Sequence, residues 1–261
     1  VEVVILESAH QGHRLAARIV AHLVKRKPQA VLGLATGRTM LGLYAELIAL
    51  FRQGVLSFSQ VTTFNLDEFV GLPPEHPCSY HRYMQENFFD HVDVPPRRRH
   101  LLNGLAPDLP RECQDFEERI RSAGGLDLQI LGLGEDGHIG FNEPTSSLGS
   151  RTRLKTLTAE TMAVNRECFG SEPVPRHVLT MGVATILEAR HCLLLAFGPR
   201  KAAAVAATVE GPVTAMVPAS ALQLHPRVTV VLDEEAASRL ALGDYYRQVY
   251  ENKPDWQRWP L

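Results

Sequence analysis

The segment Gly134-Glu135-Asp136-Gly137-His138-Ile139-Gly140-Phe141-Asn142-Glu143-Pro144 places Asp136, His138 and Glu143 within eight positions of one another. A histidine flanked by two carboxylates can have its tautomer fixed and its imidazolium stabilised, which suits proton shuttling near neutral pH. One histidine with two carboxylates and no second histidine is a poor zinc set, so acid–base chemistry is the stronger reading. The plainer alternative is a structural loop whose histidine faces solvent. A second carboxylate pair, Asp67-Glu68, follows an apolar run. A carboxylate there could take a proton from a carbon beside a carbonyl; equally, it could cap a helix or face water.

Two further segments are suited to anions. Gly33-Leu34-Ala35-Thr36-Gly37-Arg38-Thr39 joins an apolar run to a helical pattern. Free amides and the helix dipole at such a turn favour a negative group. Thr36 and Thr39 add hydroxyl donors, and Arg38 adds charge. The segment has neither the G-K-[ST] ending of a Walker loop nor the G-x-G-x-x-G spacing, and a simple turn with a Thr cap is the competing reading. Gly198-Pro199-Arg200-Lys201 also opens a helical pattern after a strand. A cation there opposes the helix dipole, which gives Lys201 a ligand-driven reason to be present. Ser146-Ser147 and Arg151-Thr152-Arg153-Leu154-Lys155-Thr156 form a polar, basic tract that reads as a second anion site or as a solvated edge strand.

The elements that must position these residues alternate along the chain. Apolar runs at Val3–Leu6, Ala30–Leu34, Val61–Asn65, Leu126–Leu133, His191–Phe197 and Val228–Leu232 predict strands. Helical spacing predicts helices over His10–Lys25, from Leu41 through Leu50, and over Tyr80–Phe89, Cys113–Arg121 and Lys201–Val209, with a last helix from Glu234. Strands alternating with helices imply an α/β fold with an open, mostly parallel sheet and helices on both faces. The near-continuous apolar strands agree with that. Thr36–Thr39, Asp67, Asp136–Glu143 and Lys201 all lie just after predicted strands, and in open α/β sheets the ligand crevice lies at those carboxyl ends. No linker divides the chain, so one domain over 1–261 is expected. Its least regular part is Thr158–Pro175, and a mobile lid is expected around 158–181.

Composition narrows the class. The 261 residues are 45% hydrophobic and 21% charged, with a formal net charge of -2. Nothing basic enough for nucleic acid is present, and no apolar run is long enough to cross a bilayer. Cys78, Cys113, Cys168 and Cys192 are widely spaced without a C-x-x-C pair. With no secretory leader evident, four unpaired thiols in a cytoplasmic protein are expected.

Together the motifs are recognisable. Leu32–Gly37, Phe64–Leu72, Gly134–Pro144, Ser150–Thr158 and Leu222–Pro226 resemble the glucosamine-6-phosphate deaminases over essentially the whole chain. The D-G-H-I-G-F-N-E-P string is the most specific of these; the related 6-phosphogluconolactonases share a D-G-H element but not the N-E-P continuation. The resemblance implies a Rossmann-like fold and conversion of glucosamine 6-phosphate and water to fructose 6-phosphate and ammonia, in amino-sugar catabolism, with no organic cofactor or metal. It implies Asp67 as the base that moves a proton between C2 and C1, and His138 as the ring-opening acid–base group with Asp136 and Glu143 as partners. It implies a phosphate cradle of Thr36, Gly37, Arg38, Thr39 and Lys201. Many members also grip the phosphate with an Arg in a stretch similar to Asn165-Arg166-Glu167-Cys168-Phe169, but here Glu167 occupies that place, so Arg38 or Arg166 is expected to substitute. Ser146, Ser147, Arg153, Lys155 and Thr156 lie in the tract where allosteric, hexameric members bind N-acetylglucosamine 6-phosphate. A second sugar-phosphate site and a homo-oligomer are therefore expected. The competing readings are a 6-phosphogluconolactonase-like hydrolase and a non-catalytic sugar-phosphate sensor.

Overall fold

A computed structural model describes residues 1–259. In chain order its elements are β1 (Glu2–Leu6), α1 (Ala9–Arg26), β2 (Val31–Leu34), α2 (Arg38–Arg52), β3 (Thr62–Asn65), β4 (Asp67–Phe69), α3 (Tyr80–Asn87), β5 (Arg99–His100), α4 (Leu109–Ser122), β6 (Leu128–Gly132), β7 (Arg153–Thr156), α5 (Ala159–Phe169), β8 (His177–Thr180), α6 (Val183–Leu187), β9 (Cys192–Ala196), α7 (Ala202–Val209), β10 (Val228–Asp233), α8 (Glu234–Ala237) and α9 (Gly243–Glu251).

Seven strands form one sheet in the order β1-β10-β9-β6-β2-β3-β5. Every neighbouring pair in it is parallel. The central strands β2, β9 and β10 are buried at every residue, as strands covered on both faces must be. Helix boundaries follow local chemistry. Ser8 caps α1 by accepting from the Gln11 amide, and Lys25 and Arg26 close its last turn, where positive charge suits the dipole. Leu15, Ile19 and Val20 of α1 are buried in the main core. Among the described residues no helix is long and apolar enough to cross a membrane.

A second, three-stranded antiparallel sheet in the order β4-β8-β7 was not expected from the sequence. Asp67 does not end the third strand: β3 stops at Asn65, and Asp67 opens a new strand paired with β8. These strands have three or four residues, too few for alternation to declare itself. One cross-sheet row matters for the site: Thr180 pairs with Asp67 on one side and with Arg153 on the other. The basic tract does form an edge strand, β7, with alternating half-buried and exposed residues. The span 158–181 divides in two. Thr158 caps α5, whereas His177–Thr180 is the central strand of the second sheet.

The expectation of four unpaired thiols is corrected. Cys78 and Cys168 form a disulfide, while Cys113 and Cys192 are free and buried. Ninety residues separate the bonded pair, so spacing alone could not disclose it.

One buried carboxylate fastens the second sheet to the rest. Glu117 of α4 accepts from the Thr152 amide at 2.8 Å, the Thr152 hydroxyl at 2.5 Å and the Thr185 hydroxyl at 2.6 Å. Arg151 reaches its other oxygen at 2.5 Å. Burial alone would raise the Glu117 carboxyl, but these donors outweigh it and hold the group below its ordinary range. Glu117→Ala would leave several buried donors unmatched. It should cost about 3 kcal/mol in urea unfolding, and a loss below about 0.5 kcal/mol would show that this anchor is dispensable.

Candidate active site

The Gly134–Pro144 loop leaves β6 at the carboxyl edge of the main sheet. The His138 ring lies over Gly134 so closely that a Cβ there would overlap it. His138 Nδ1 is 2.6 Å from Asp136 Oδ1, and the His138 amide donates to the same oxygen at 3.1 Å. Burial pushes the Asp136 carboxyl up, yet His138, through its ring and amide, outweighs that and holds it below the usual carboxylate range. An ionised Asp136 can fix the ring orientation and support a proton on it.

Asp67 comes to this loop from β4. It is 6% exposed. Gly140 is where loop and strand meet: a Cβ on it would lie 3.0 Å from Thr180 Oγ1 and 3.6 Å from Asp67 Oδ2, on a backbone with φ of +56° that side chains resist. The Phe141 amide then donates to Thr180 Oγ1 at 3.1 Å. Burial, and after it the neighbouring charge of Glu68, push the Asp67 carboxyl up to about 8. Neither a helix cap nor a solvated surface position describes Asp67; it is a desolvated acid at the rim of the site. Glu68 points elsewhere. It accepts from the Phe69, Tyr80 and His81 amides at 2.8, 3.1 and 3.0 Å and contacts His81 Nδ1 at 2.7 Å.

The turn from β2 into α2 supplies the third edge. Gly37 is the helix cap and no side chain caps the amides that follow, so the Thr-cap reading is not what forms. Tyr44 donates to the Ala35 carbonyl at 2.5 Å and Tyr83 to the Gly37 carbonyl at 2.7 Å, pinning the turn from behind. Tyr80 connects this turn to Asp67. Burial first, then the charges of Asp67 and Glu68, push its phenol up, while a hydrogen bond with Thr36 opposes them. Lys201 sits in a short turn, Pro199–Lys201, ahead of α7. Burial lowers its pKa, and the nearby charges of Glu135 and Asp136 counter that. The structure therefore brings Thr36, Asp67, Asp136, His138 and Lys201 to one rim.

Helix α5 spans the rest. Glu143 makes no hydrogen bond to His138 among the described residues. Its carboxylate accepts from the Thr158 hydroxyl at 2.9 Å, from the Thr158 amide at 3.3 Å and from the Thr161 hydroxyl. At the other end of α5, Glu167 pairs with Arg38. Arg166 instead donates to the Glu172 carbonyl at 2.8 Å. In the second anion tract, Arg153 donates to Asn142 Oδ1 at 2.9 Å, Ser147 accepts from the Gly149 amide at 3.2 Å, and the Ser146 hydroxyl is buried without a partner. Lys155 is half-buried and Thr156 is exposed. Sequence reasoning missed Tyr80, Tyr83, Thr161 and Thr180. Only their proximity in the fold marks them. Among the described residues no group of three or more His, Cys, Asp or Glu side chains is arranged to hold a metal ion.

Residues 7–231 match the family model described as glucosamine-6-phosphate isomerases/6-phosphogluconolactonase. The chain belongs to this family. A protein from Arthrobacter sp. (strain FB24) named glucosamine-6-phosphate deaminase is 52% identical over 98% of this chain and 99% of its own length. Another so named, from Hahella chejuensis, is 54% identical over 95% of each chain. A solved structure described as a monomeric glucosamine-6-phosphate deaminase superposes with a TM-score of 0.89 at 47% identity, covering 92% of this chain and 100% of that one. Within the wider family, the 6-phosphogluconolactonase of Trypanosoma brucei superposes with a TM-score of 0.74 at 18% identity, a likeness of fold alone.

The Asp67 environment has a consequence for stability that does not depend on any substrate. The folded chain holds the Asp67 proton up to about pH 8, whereas an unperturbed aspartate with a value of 3.8 releases it far earlier. Between those values the folded state binds more protons, so stability attributable to Asp67 falls as pH rises and levels off above the folded value. Asp67→Asn removes this titration. Its Tm should exceed that of the parent by a margin that grows between about pH 5 and about pH 8.5. A margin that is flat or shrinks over that range would contradict a buried acid at this position.

Proposed function

We propose that the protein is an aldose–ketose isomerising deaminase that converts glucosamine 6-phosphate and water to fructose 6-phosphate and ammonia. One observation carries this reading: a desolvated carboxylate, Asp67, lies beside Gly140 of the loop that carries the His138–Asp136 pair, and the uncapped N-terminus of α2 follows the neighbouring strand β2. The relatives named glucosamine-6-phosphate deaminase, matched over nearly their whole length, support the same activity. The 6-phosphogluconolactonase alternative rests on structures at about one-fifth identity, which speak to fold only.

In this reading the phosphate sits against the Gly37, Arg38 and Thr39 amides, with Thr36 and Lys201 beside it. Its contacts lie away from the reacting carbons, so they orient the sugar without hindering proton transfer. His138, held by Asp136, moves a proton at the ring oxygen to open the pyranose. Asp67 then carries a proton between C2 and C1, and a raised proton affinity suits a group that must both take and return it. Water adds at C2 and the amine leaves as ammonia. Glu143 joins the His138 pair only if it exchanges its Thr158 and Thr161 partners for the imidazole, so movement of α5 is part of this proposal.

Arg38 is the better candidate than Arg166 for the missing phosphate contact. Each has a partner, Arg38 in Glu167 and Arg166 in the Glu172 carbonyl, but Arg38 stands at the first residue of α2, beside the free amides. The second sugar-phosphate site at Ser146, Ser147, Arg153, Lys155 and Thr156, the homo-oligomer and a cytoplasmic location also stand as proposals. The solved relative described as monomeric makes molar mass in solution the first measurement for the oligomer.

Ammonia release from glucosamine 6-phosphate tests the reaction directly. The parent should be active, and Asp67→Asn should lose at least about 10²-fold in kcat. A parent that releases no ammonia would overturn the substrate, and an active Asp67→Asn would overturn the base. In the same assay Arg38→Ala should raise KM about tenfold or more with a smaller change in kcat. An unchanged KM would remove Arg38 from the cradle.

A further inference from the structure

The Cys78–Cys168 bond joins two segments with very different attachments, and its Cα atoms are 5.8 Å apart. Cys78 is buried and immediately precedes Ser79, the cap of α3. That side is firmly held, because the Tyr80 and His81 amides at the start of α3 are bound by the buried Glu68 carboxylate. Cys168 is exposed in the last turn of α5. Only Thr161 and Phe169 of α5 are buried. Phe169 is also buried in a small apolar cluster, its ring edge-on to Phe69 at 5.5 Å. The remaining ties at this end of α5 are Glu167 to Arg38, both largely exposed, Glu172 to His76 at 2.9 Å, and the His76 ring stacked on Phe169 at 5.8 Å. Exposed ion pairs of this sort contribute little. Beside the buried Phe169 side chain, the covalent bond is therefore the firmest attachment of this end of α5.

We propose that Cys78–Cys168 is a thiol–disulfide exchange site for low-molecular-mass thiols, and that its state governs how readily the sugar phosphate gains Arg38. Cys168 is the exposed residue of the pair and Cys78 the buried one, so an incoming thiolate attacks Cys168 Sγ. A bond forms between its sulfur and Cys168 Sγ, the Cys78–Cys168 bond breaks, and Cys78 leaves as a thiolate that takes a proton from water. A second thiolate attacks the small molecule's sulfur in the mixed disulfide. Cys168 is released as a thiolate and is protonated, and the two small thiols depart joined as their own disulfide. Two electrons pass from the thiols to the protein bond. The same exchange run backwards, with a low-molecular-mass disulfide as oxidant, closes it again. While the bond is closed, Glu167, the neighbour of Cys168, is kept against Arg38 and a phosphate must displace it. Once the bond is open, α5 can carry Glu167 away.

The KM part of this inference rests on the reading of Arg38 as a phosphate contact; the exchange itself does not. The whole protein is equilibrated with glutathione disulfide or with glutathione, then alkylated without denaturant and mapped by mass. Cys168 should be labelled only after glutathione, while the buried Cys113 and Cys192 stay unlabelled in both. Opening should speed proteolysis within residues 159–170. It should also lower KM for glucosamine 6-phosphate by about fivefold, the upper reach of an exposed ion pair, with kcat little changed. Cys168→Ser should match the opened form in both media, and Cys78→Ser should do the same. Labelling of Cys168 in the glutathione disulfide sample, or no labelling of it after glutathione, would overturn the site. Equal KM and equal proteolysis in the two states would overturn its effect on α5. If neither state releases ammonia, the substrate assignment falls instead, and the labelling and proteolysis results decide the inference.

Discussion

Withdrawing a carboxylate from water makes it costly to ionise and so makes it a stronger base. Asp67 is under that constraint, and the second sheet exists around it. Pairing with Thr180 fixes its backbone, and the close approach of Gly140 closes off its side chain. The next residue makes matters harder, since Glu68 is also buried and its charge adds to the penalty on Asp67. The fold resolves this by treating the two acids differently. Glu68 receives three amides and faces His81, whereas Asp67 is left with burial and a like charge. Two adjacent carboxylates thereby acquire separate tasks, one anchoring α3 and the other available for chemistry.

The same sheet connects the acid–base loop to its surroundings. Asn142 is wholly buried and donates to the Ile139 carbonyl at 2.9 Å and the Met181 carbonyl at 2.8 Å, while Arg153 donates to its oxygen. Met181 in turn donates from its amide to the Leu66 carbonyl at 2.8 Å, next to Asp67. The loop bearing His138 and the strand bearing Asp67 are thus tied through one amide side chain. An anion drawn to Arg153 would compete with Asn142 for its guanidinium, which gives the proposed second site a physical route to the loop.

Much of this was legible in the sequence. The parallel sheet followed from alternating apolar strands and helices, and the location of the rim followed from where the reactive residues fell. The His138–Asp136 pairing was visible because the partners are two positions apart. What stayed hidden is non-local or short. β4 has three residues, and Asp67 and Thr180 are neighbours only across strands. Tyr83 reaches Gly37 across 46 positions, and Cys78 reaches Cys168 across 90. Glu143 illustrates a different limit. Its proximity in sequence to His138 suggested a triad, yet the first turn of α5 offers its carboxylate two hydroxyls and an amide, a more favourable set of donors than one imidazole.

Glu167 shows how a departure from a familiar pattern can be self-consistent. Arg38 stands at the N-terminus of α2, where its charge opposes the helix dipole and is better placed with an anion beside it. A phosphate would be that anion in the working enzyme. In the structure Glu167 fills the part, placing a carboxylate from α5 against the guanidinium. An acid where the family resemblance implies an arginine would weaken phosphate binding if nothing else changed. With an arginine at position 38, the same acid becomes a counter-ion that yields to a stronger one. A dianion carries more charge than a carboxylate and also reaches the amides of α2. In the proposed reading the exchange therefore favours the substrate, and it would couple phosphate binding to the position of α5.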